Sequence, residues 1–335
     1  MKALVVREWS EPQTFHLEEM PIPDPGPEEV LVKIHTAAIN FGDTLIASGR
    51  YQVQPDRPFT PGAECSGVVE AVGMKVQGYK PGDPVAAIGF AGRARIDRRV
   101  IGSCREYAAI PQRNVLRLPP GTDLERAALF RSNYETSYYC LQEGHLKPGE
   151  TLLVLGAGGG TGQAAVTLGK IMGARVLASA SSPEKRTIAL EAGADAAIDG
   201  RSTDWRKQVE AFAGAGGIDV IFDPVGGDQS ELAFRTLGYH GRFLVVGFAA
   251  GTIPRLPLNL PLMKAASVVG ANMLVGWEAE PERISQNAKY LVTLLAEGKV
   301  KLPPVSRRYP LAQASDAFKA VASGEIAGRV VITIG

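Results

Sequence analysis

Five glycines lie between Gly156 and Gly162, directly after a run of apolar residues. The apolar run, Leu152 to Leu155, is typical of a buried parallel strand, and Thr161 to Met172 has the pattern of an amphipathic helix. A strand that stops at glycines before a helix presents unpaired backbone N–H groups and the positive end of the helix dipole to a phosphate. The chemistry that this segment predicts is therefore the binding of a pyrophosphate.

The spacing of these glycines is GxxGxxG, carried by Gly156, Gly159 and Gly162; in the plain GxGxxG pattern the last glycine would fall on Thr161. One glycine makes the tight turn, one admits the pyrophosphate, and one lets the helix approach the strand. A flexible loop between any strand and helix is the alternative, because a glycine-rich motif alone is weakly specific. We expect Gly156, Gly159, Thr161 and Gly162 to contact a dinucleotide.

Small residues stand where the next strand of this segment ends. Arg175 to Ala180 predicts that strand, and Ser181 and a second serine follow it. Sites that hold a free ribose 2′-hydroxyl usually carry Asp or Glu near this point, and no acid is present here. Lys185 and Arg186 can neutralise a 2′-phosphate, although such a pair is also typical of a solvated helix face. The missing acid favours NADPH over NADH as the cofactor.

Strands and helices continue to alternate along the middle of the chain. Further strands are predicted at 195–199, 218–222, 241–248 and 267–272. This alternation implies right-handed crossovers and a doubly wound parallel sheet, whose ligands lie at the carboxyl ends of the strands. Gly247, Phe248 and Asn272 are therefore expected near the cofactor, although each can equally serve as a turn residue.

Length and composition indicate a soluble, two-domain protein. The chain has 335 residues, of which 45% are hydrophobic and 21% charged. A net charge of +1 gives no electrostatic footprint for nucleic acid or an anionic membrane. The apolar runs are too short for a membrane span, and no secretory signal is visible. Three scattered cysteines favour a reducing, cytoplasmic location.

The two ends of the chain have a pattern different from that of the middle. Residues 1–122 contain short strand-like runs separated by Pro- and Gly-rich turns. A last strand at 328–334 needs a partner, and this β-rich segment is the expected one. We therefore predict a β-rich catalytic domain from residues 1–122 and 275–335, with a cofactor-binding domain, residues 123–274, inserted between its two parts.

Seven segments, spread over almost the whole chain, carry a family resemblance. They read AAINFGDTLIASGRY, PFTPGAECSGVVEAVG, YKPGDPV, GAGGGTG, ASSPEK, DPVGG and GRFLVVGFAAG. In this order they resemble the medium-chain dehydrogenase/reductase superfamily, and more closely its zinc-independent NADPH:quinone oxidoreductase branch. The resemblance implies an α/β protein made of a GroES-like catalytic domain and a Rossmann domain, and it implies a homodimer.

The zinc ligands of the superfamily's alcohol dehydrogenases are missing from the corresponding segments. The strand-to-helix turn, Ile39 to Asp43, has no cysteine, and Ala63 stands where those enzymes have a histidine. The loop at 91–99 lacks their four-cysteine cluster, and the four histidines are scattered. Because zinc needs three or four suitably spaced ligands, we predict hydride transfer without a metal.

The resemblance also implies roles for residues near the start of the chain. Asn40 would hydrogen-bond the cofactor beside its nicotinamide, and Asp43 would orient its neighbours. Tyr51 would donate a proton to the carbonyl oxygen that gains charge, a role that solvent can also fill. For Asp43, a helix N-terminal charge is the structural alternative.

Further along the chain, the resemblance places Thr136 near the cofactor and Arg329 near its 2′-phosphate. Two positions depart from the family pattern. Glu135 replaces a family glycine before Thr136. Gly200 replaces a family tyrosine near the 2′-phosphate, where Arg201 can substitute by charge.

Metal-free hydride transfer suits an acceptor that is already conjugated, because no Lewis acid stabilises a developing alkoxide. The leading expectation is an NADPH-dependent quinone reductase acting on a small-molecule quinone. The alternative is a reductase of α,β-unsaturated carbonyls, either an enone or an enoyl-CoA, and arginines of the 91–99 loop are candidates for holding a coenzyme A phosphate. Outside enzymes, a non-catalytic NADPH- or nucleic-acid-binding protein is the third hypothesis.

Overall fold

The computed structural model describes residues 1–9, 15–51, 54–88, 102–324 and 326–334. The arginine-rich loop at 91–99 therefore lies outside the described residues. The chain divides into two compact units. The first unit is Met1–Ser132 together with Gly276–Gly335, and the second unit is Asn133–Val275.

The elements are numbered in chain order. The strands are β1 (Lys2–Val5), β2 (His16–Glu19), β3 (Glu29–Ile39), β4 (Glu64–Val72), β5 (Pro84–Ile88), β6 (Tyr107–Pro111), β7 (Val115–Arg117), β8 (Thr151–Leu155), β9 (Arg175–Ala180), β10 (Ala196–Asp199), β11 (Ile218–Asp223), β12 (Leu237–Val245), β13 (Ser267–Gly270), β14 (Val305–Pro310) and β15 (Arg329–Thr333). The helices are α1 (Phe41–Ala47), α2 (Leu124–Ala127), α3 (Arg131–Glu143), α4 (Gly160–Ile171), α5 (Pro183–Glu191), α6 (Trp205–Ala213), α7 (Gln229–Phe234), α8 (Asn259–Lys264), α9 (Met273–Ala279), α10 (Pro281–Ala296) and α11 (Ala314–Ala322).

The second unit is built on a parallel sheet with the strand order β10-β9-β8-β11-β12-β13. Every residue of β8 is buried, as an unbroken apolar run in a parallel sheet requires. The strand order reverses between β8 and β11, which is the crevice where such sheets bind ligands. The predicted doubly wound parallel sheet is confirmed.

The first unit contains a mostly antiparallel sheet with the order β14-β15-β3-β4-β5-β7, and β6 also pairs with β3. Strand β15 pairs antiparallel with β3, with Val330 opposite Ile39 and Thr333 opposite Thr36. The expectation that the last strand pairs with the β-rich first segment is confirmed. This pairing joins residues from opposite ends of the chain at the end of β3 that leads into α1.

Within the described residues, no helix combines the length and the apolar composition needed to cross a bilayer.

Candidate functional site

Asn40 lies between β3 and α1, and both ends of its side-chain amide are hydrogen-bonded. Its Oδ1 accepts a hydrogen bond from Arg329 Nη2 at 2.7 Å, and its Nδ2 donates to Glu64 Oε2 at 3.3 Å. Glu64 begins β4 and Arg329 begins β15, and both strands pair with the end of β3 that precedes Asn40. The register of the sheet therefore brings an acid and a base to the two sides of one amide. We call Asn40, Asp43, Glu64 and Arg329 the Asn40 cluster.

Asp43 fixes the backbone on which Asn40 is carried. Its Oδ2 accepts a hydrogen bond from the Asn40 backbone N–H at 2.7 Å, and the backbone of Ala63 donates to the same carboxylate. The side chain is buried, with 2% of its surface exposed. A carboxylate bound to the first turn of a helix in this way stabilises the helix start. This geometry suits the orienting role that the sequence predicts for Asp43.

The two carboxyl groups of the cluster have unusual proton affinities. Burial raises the pKa of Asp43 and the pKa of Glu64 each to about 7. Backbone hydrogen bonds to both carboxylates and the positive charge of Arg329 oppose this rise. Both groups therefore exchange protons close to neutral pH.

The raised pKa of Glu64 makes a testable prediction about stability. Because its folded-state pKa of about 7 lies above its ordinary value of 4.5, the folded protein holds a proton that the unfolded chain releases between these values. Stability from this group is thus present at low pH and is lost as the pH rises through 7. We expect Glu64→Gln to match the wild type near pH 5 and to gain stability relative to it by pH 8, by a few kcal/mol. Urea unfolding across this pH range measures the difference.

Glu18→Gln is the matched control. A hydrogen bond from Arg7 lowers the pKa of Glu18 from its ordinary value of 4.5, so the stability that this group contributes changes with pH only below that value. The difference in stability between this variant and the wild type is therefore expected to be small and constant from pH 5 to pH 8. A pH-independent difference between Glu64→Gln and the wild type would contradict the raised pKa of Glu64.

Arg329 begins β15 and is buried, with 6% of its surface exposed, and its guanidinium donates a hydrogen bond to Asn40. The approach to the cofactor's 2′-phosphate that the family resemblance implies for Arg329 stays a prediction. Its positive charge faces the carboxylates of Asp43 and Glu64. We therefore assign Arg329 to the Asn40 cluster as the countercharge of two buried acids.

Tyr51 follows α1 and is half-buried. Its ring packs against the apolar cluster of Val6, Ile46 and Phe59. A Cβ atom at Gly42, in the first turn of α1, would lie 3.9 Å from Cε2 of this ring. Tyr51 therefore belongs to the same part of the first unit as Asn40, and its role in proton transfer stays a prediction.

The two segments in which the zinc enzymes carry metal ligands have a donor set here that does not fit zinc. Ala63 has no donor atom, and the Asn40 amide and the Asp43 carboxylate are already hydrogen-bonded within the cluster. Among the described residues, no group of three or more His, Cys, Asp or Glu side chains is arranged to hold a metal ion. Zinc prefers three or four Cys, His or carboxylate ligands in tetrahedral geometry.

In the second unit, the glycine turn joins β8 to α4 and is anchored on α3. Gly156 makes the turn with φ of +59°, and Gly159 is the N-cap of α4. The Thr161 hydroxyl is hydrogen-bonded to Asn133 Oδ1 at 3.2 Å. Thr136, also on α3, donates from Oγ1 to a methionine sulfur at 3.4 Å. Sequence reasoning singled out Thr136 but did not predict the helix that carries it.

The residues expected to contact the ribose and its 2′-phosphate follow the end of β9. Ser181 is half-buried directly after the strand, and the next serine caps α5 by accepting a hydrogen bond from Lys185 N at 3.3 Å. Arg186 Nη1 lies 3.1 Å from Oδ2 of Asp199, which ends β10. The sequence analysis placed Asp199 on a strand but did not consider its carboxylate.

The other predicted cofactor residues follow β12 and β13 at the carboxyl edge of the same sheet. Gly247 lies two residues beyond the end of β12, and Phe248, which is 39% exposed, comes next. Asn272 follows β13, and its Oδ1 accepts a hydrogen bond from the Leu274 backbone N–H at 3.0 Å. The parallel sheet thus gathers these residues and the glycine turn at one edge, while their contacts with a cofactor stay predictions.

Comparison with known proteins gives the family. Residues 26–120 match the alcohol dehydrogenase GroES-like domain, and residues 160–289 match the family described as zinc-binding dehydrogenase. Quinone oxidoreductase-like protein 2 of Bos taurus is 34% identical over 92% of this chain and 86% of that protein. The chain belongs to the medium-chain dehydrogenase/reductase superfamily. As a member of this superfamily, it is an oxidoreductase.

Solved structures of medium-chain dehydrogenases/reductases have the same fold. A probable oxidoreductase from Mycobacterium abscessus is 33% identical, with a TM-score of 0.85 and 99% of each chain covered. The quinone oxidoreductase of Escherichia coli, solved in complex with NADPH, is 26% identical, with a TM-score of 0.87 over 99% of this chain and 100% of that one. The predicted GroES-like and Rossmann architecture is confirmed.

Proposed function

We propose that this medium-chain reductase transfers a hydride from NADPH to a quinone without a metal ion. The observation that carries the proposal is the Asn40 cluster, whose amide is fully engaged with Glu64 and Arg329 in a turn that lacks the cysteine of the zinc enzymes, together with Ala63, which stands where those enzymes have a histidine. Without a Lewis acid, the acceptor must be activated by its own conjugation, as a quinone is. Similarity to the quinone oxidoreductase of Escherichia coli and to quinone oxidoreductase-like protein 2 of Bos taurus supports this choice of acceptor.

The second unit offers residues that fit a nicotinamide dinucleotide phosphate. The glycine turn and the N-terminus of α4 present backbone N–H groups for the pyrophosphate. Lys185 and Arg186 supply positive charge for a 2′-phosphate at the end of β9, a strand that ends without an acid of its own. The Escherichia coli relative was solved with NADPH, which supports the same cofactor here.

The nicotinamide supplies the hydride, and the residues of the first unit supply positioning and protons. The amide of Asn40 is held in one orientation by Arg329 and Glu64, which fixes the side chain for the proposed contact with the cofactor. Tyr51 is the proposed proton donor to the reduced oxygen, in competition with solvent. Asp43 acts through the backbone of Asn40 and is a positioning residue.

The test is oxidation of NADPH by the purified protein against a benzoquinone, a naphthoquinone, an enone and an enoyl-CoA, with and without a chelator. Chelator-insensitive turnover of the quinones supports the proposal. Turnover of the enone or the enoyl-CoA alone would transfer the function to double-bond reduction on the same scaffold. Binding of NADPH without turnover of any acceptor would favour a non-catalytic binding protein. Loss of turnover with a chelator would contradict the proposal that hydride transfer needs no metal ion.

We also propose that the chain forms a homodimer through the β13 edge of the second unit. In the part of the chain that the structure describes, β13 pairs with β12 and with no other strand. Val268 on this strand is 48% exposed, and in the segment of the chain that precedes β13, Leu258, Leu262 and Met263 are 77–82% exposed. Pairing with a second copy would extend the sheet and cover these apolar side chains.

The dimer proposal predicts that Val268→Lys produces a monomer. A charged side chain opposite its own copy across a two-fold axis repels, and it also opposes desolvation of the edge. Light scattering at micromolar concentration measures the mass. Met74→Lys is the control, because Met74 is 88% exposed in the first unit and its substitution is expected to leave the mass unchanged. A wild-type protein that is already monomeric would contradict the proposal.

A further inference from the structure

Asp199 lies beside the end of β9, where an acid is missing. Strands β9 and β10 are parallel, and Asp199 is in register with Ala180, the last residue of β9. The backbone N–H of Gly200 donates to the Ala180 carbonyl at 3.0 Å, which ties the two strand ends together. Neighbouring strands lie about 4.8 Å apart. A carboxylate therefore reaches this part of the sheet edge from β10.

The carboxylate of Asp199 lies next to the guanidinium of Arg186, which is expected to bind the 2′-phosphate of the ribose. Arg186 Nη1 lies 3.1 Å from Asp199 Oδ2, and the two side chains are 23% and 42% exposed. This Nη1 atom is buried, and it donates no hydrogen bond of good geometry to any of the described residues. The guanidinium is thus attracted to Asp199 by charge rather than by a hydrogen bond of good geometry.

Lys185 places the same group of residues next to the pyrophosphate turn. A Cβ atom at Gly158 would lie 2.5 Å from the Lys185 Cβ, so the lysine stem packs directly on the glycine turn. The backbone N–H of Arg201 donates to Asp199 Oδ1 at 2.9 Å, which fixes the carboxylate from its other side. The stem of Lys185 therefore lies against the turn, and the ion pair of Arg186 and Asp199 lies at the neighbouring strand ends.

We propose that Asp199 shifts the choice between NADPH and NADH towards NADH. This inference rests on the proposed binding of a nicotinamide dinucleotide in the second unit. A 2′-phosphate must compete with Asp199 for Arg186, and it is repelled by the carboxylate. A free 2′-hydroxyl leaves the ion pair intact and can donate a hydrogen bond to the carboxylate. Asp199 therefore lowers the preference for NADPH that Lys185 and Arg186 create.

The test is direct binding of NADPH and NADH to the Asp199→Asn variant, measured by calorimetry without an acceptor. Loss of the negative charge is expected to tighten NADPH binding about tenfold and to leave NADH binding unchanged or weaker. Arg186→Met is expected to act in the opposite direction, weakening NADPH binding about tenfold with little effect on NADH. The ratio of the two dissociation constants is the readout.

Asp195→Asn is the matched control, because Asp195 precedes the other end of β10. Its carboxylate binds Lys170 Nζ at 2.8 Å, away from the carboxyl edge of the sheet. Removing this charge is expected to leave the ratio of the two dissociation constants unchanged.

Two results for Asp199→Asn overturn the inference. Weaker NADPH binding would mean that Asp199 orients Arg186 for the phosphate, and an unchanged ratio would mean that Asp199 does not discriminate. Failure of the wild type to bind either dinucleotide would instead remove the proposed function on which the inference rests. The binding data therefore separate the two failures.

Discussion

Gly162→Ala is expected to abolish dinucleotide binding and to lower the melting temperature of the protein by about 5 to 10 °C. A Cβ atom at this position would lie 2.4 Å from the Gly156 carbonyl oxygen and 2.7 Å from the Ala157 Cα. Both are backbone atoms of the pyrophosphate turn, so no side-chain rotation relieves the clash. The helix must move away from the strand, and its N-terminal N–H groups move with it. Calorimetric binding of NADPH and a thermal melt measure the two effects.

Gly216→Ala is the control for this substitution. Gly216 belongs to the same unit, and among the described residues a Cβ atom there meets no atom within 4 Å. Its replacement is expected to leave both the melting temperature and NADPH binding near their wild-type values. If Gly162→Ala and Gly216→Ala had the same melting temperature and the same affinity for NADPH, α4 could move away from β8 at no cost. That result would contradict the prediction.

Arg329→Met is expected to destabilise the first unit by about 3–5 kcal/mol at pH 8, because it leaves two buried carboxylates without their countercharge. Arg329 lowers the pKa of both Asp43 and Glu64, so both values rise when it is removed. At pH 5.5 the two carboxyls are then protonated, and the loss of the countercharge costs less. Urea unfolding at the two pH values measures the difference between variant and wild type.

Arg308→Met provides the comparison on the neighbouring strand β14. Arg308 is 55% exposed and pairs with Glu125 at 2.6 Å. An exposed pair of this kind contributes little to stability, so a small and nearly pH-independent effect is expected. A loss of stability in Arg329→Met that is the same at pH 5.5 and pH 8 would contradict the countercharge role of Arg329.

The sequence predicted the centre of the second unit well because β8, β9 and β11 lie in the interior of a parallel sheet. The run Leu152 to Leu155 has no polar residue to confuse its assignment, and Arg175 to Ala180 matches β9 at both ends. Helix α3 was missed for the opposite reason. It reads RSNYETSYYCLQE, with few aliphatic residues to set a helical period. Its buried Glu135, a departure from the family pattern, lies within a continuous helix.

The Asn40 cluster could be predicted only in part. The family pattern identified Asn40 and Asp43, and the local spacing of these two residues suits a helix start. The contact between Asn40 and Arg329 spans 289 positions of the chain and depends on the register of β15 against β3. The apolar pattern of a strand sets which of its faces is buried, but it does not identify one partner register between strands so far apart in the chain. The ion pair between Arg186 and Asp199 could not be predicted for the same reason, because it depends on the register of β9 with β10.

The pairing of β15 with β3 also sets an order of events during synthesis on the ribosome. The second unit is one uninterrupted stretch, so all of it emerges before the strand that covers residues 36–39 of β3. Until Val330–Thr333 arrives, that stretch of β3 has an open backbone edge, and such edges recruit other chains. Growing chains are therefore most prone to aggregate late in translation, when the second unit can already fold and the first still lacks a strand.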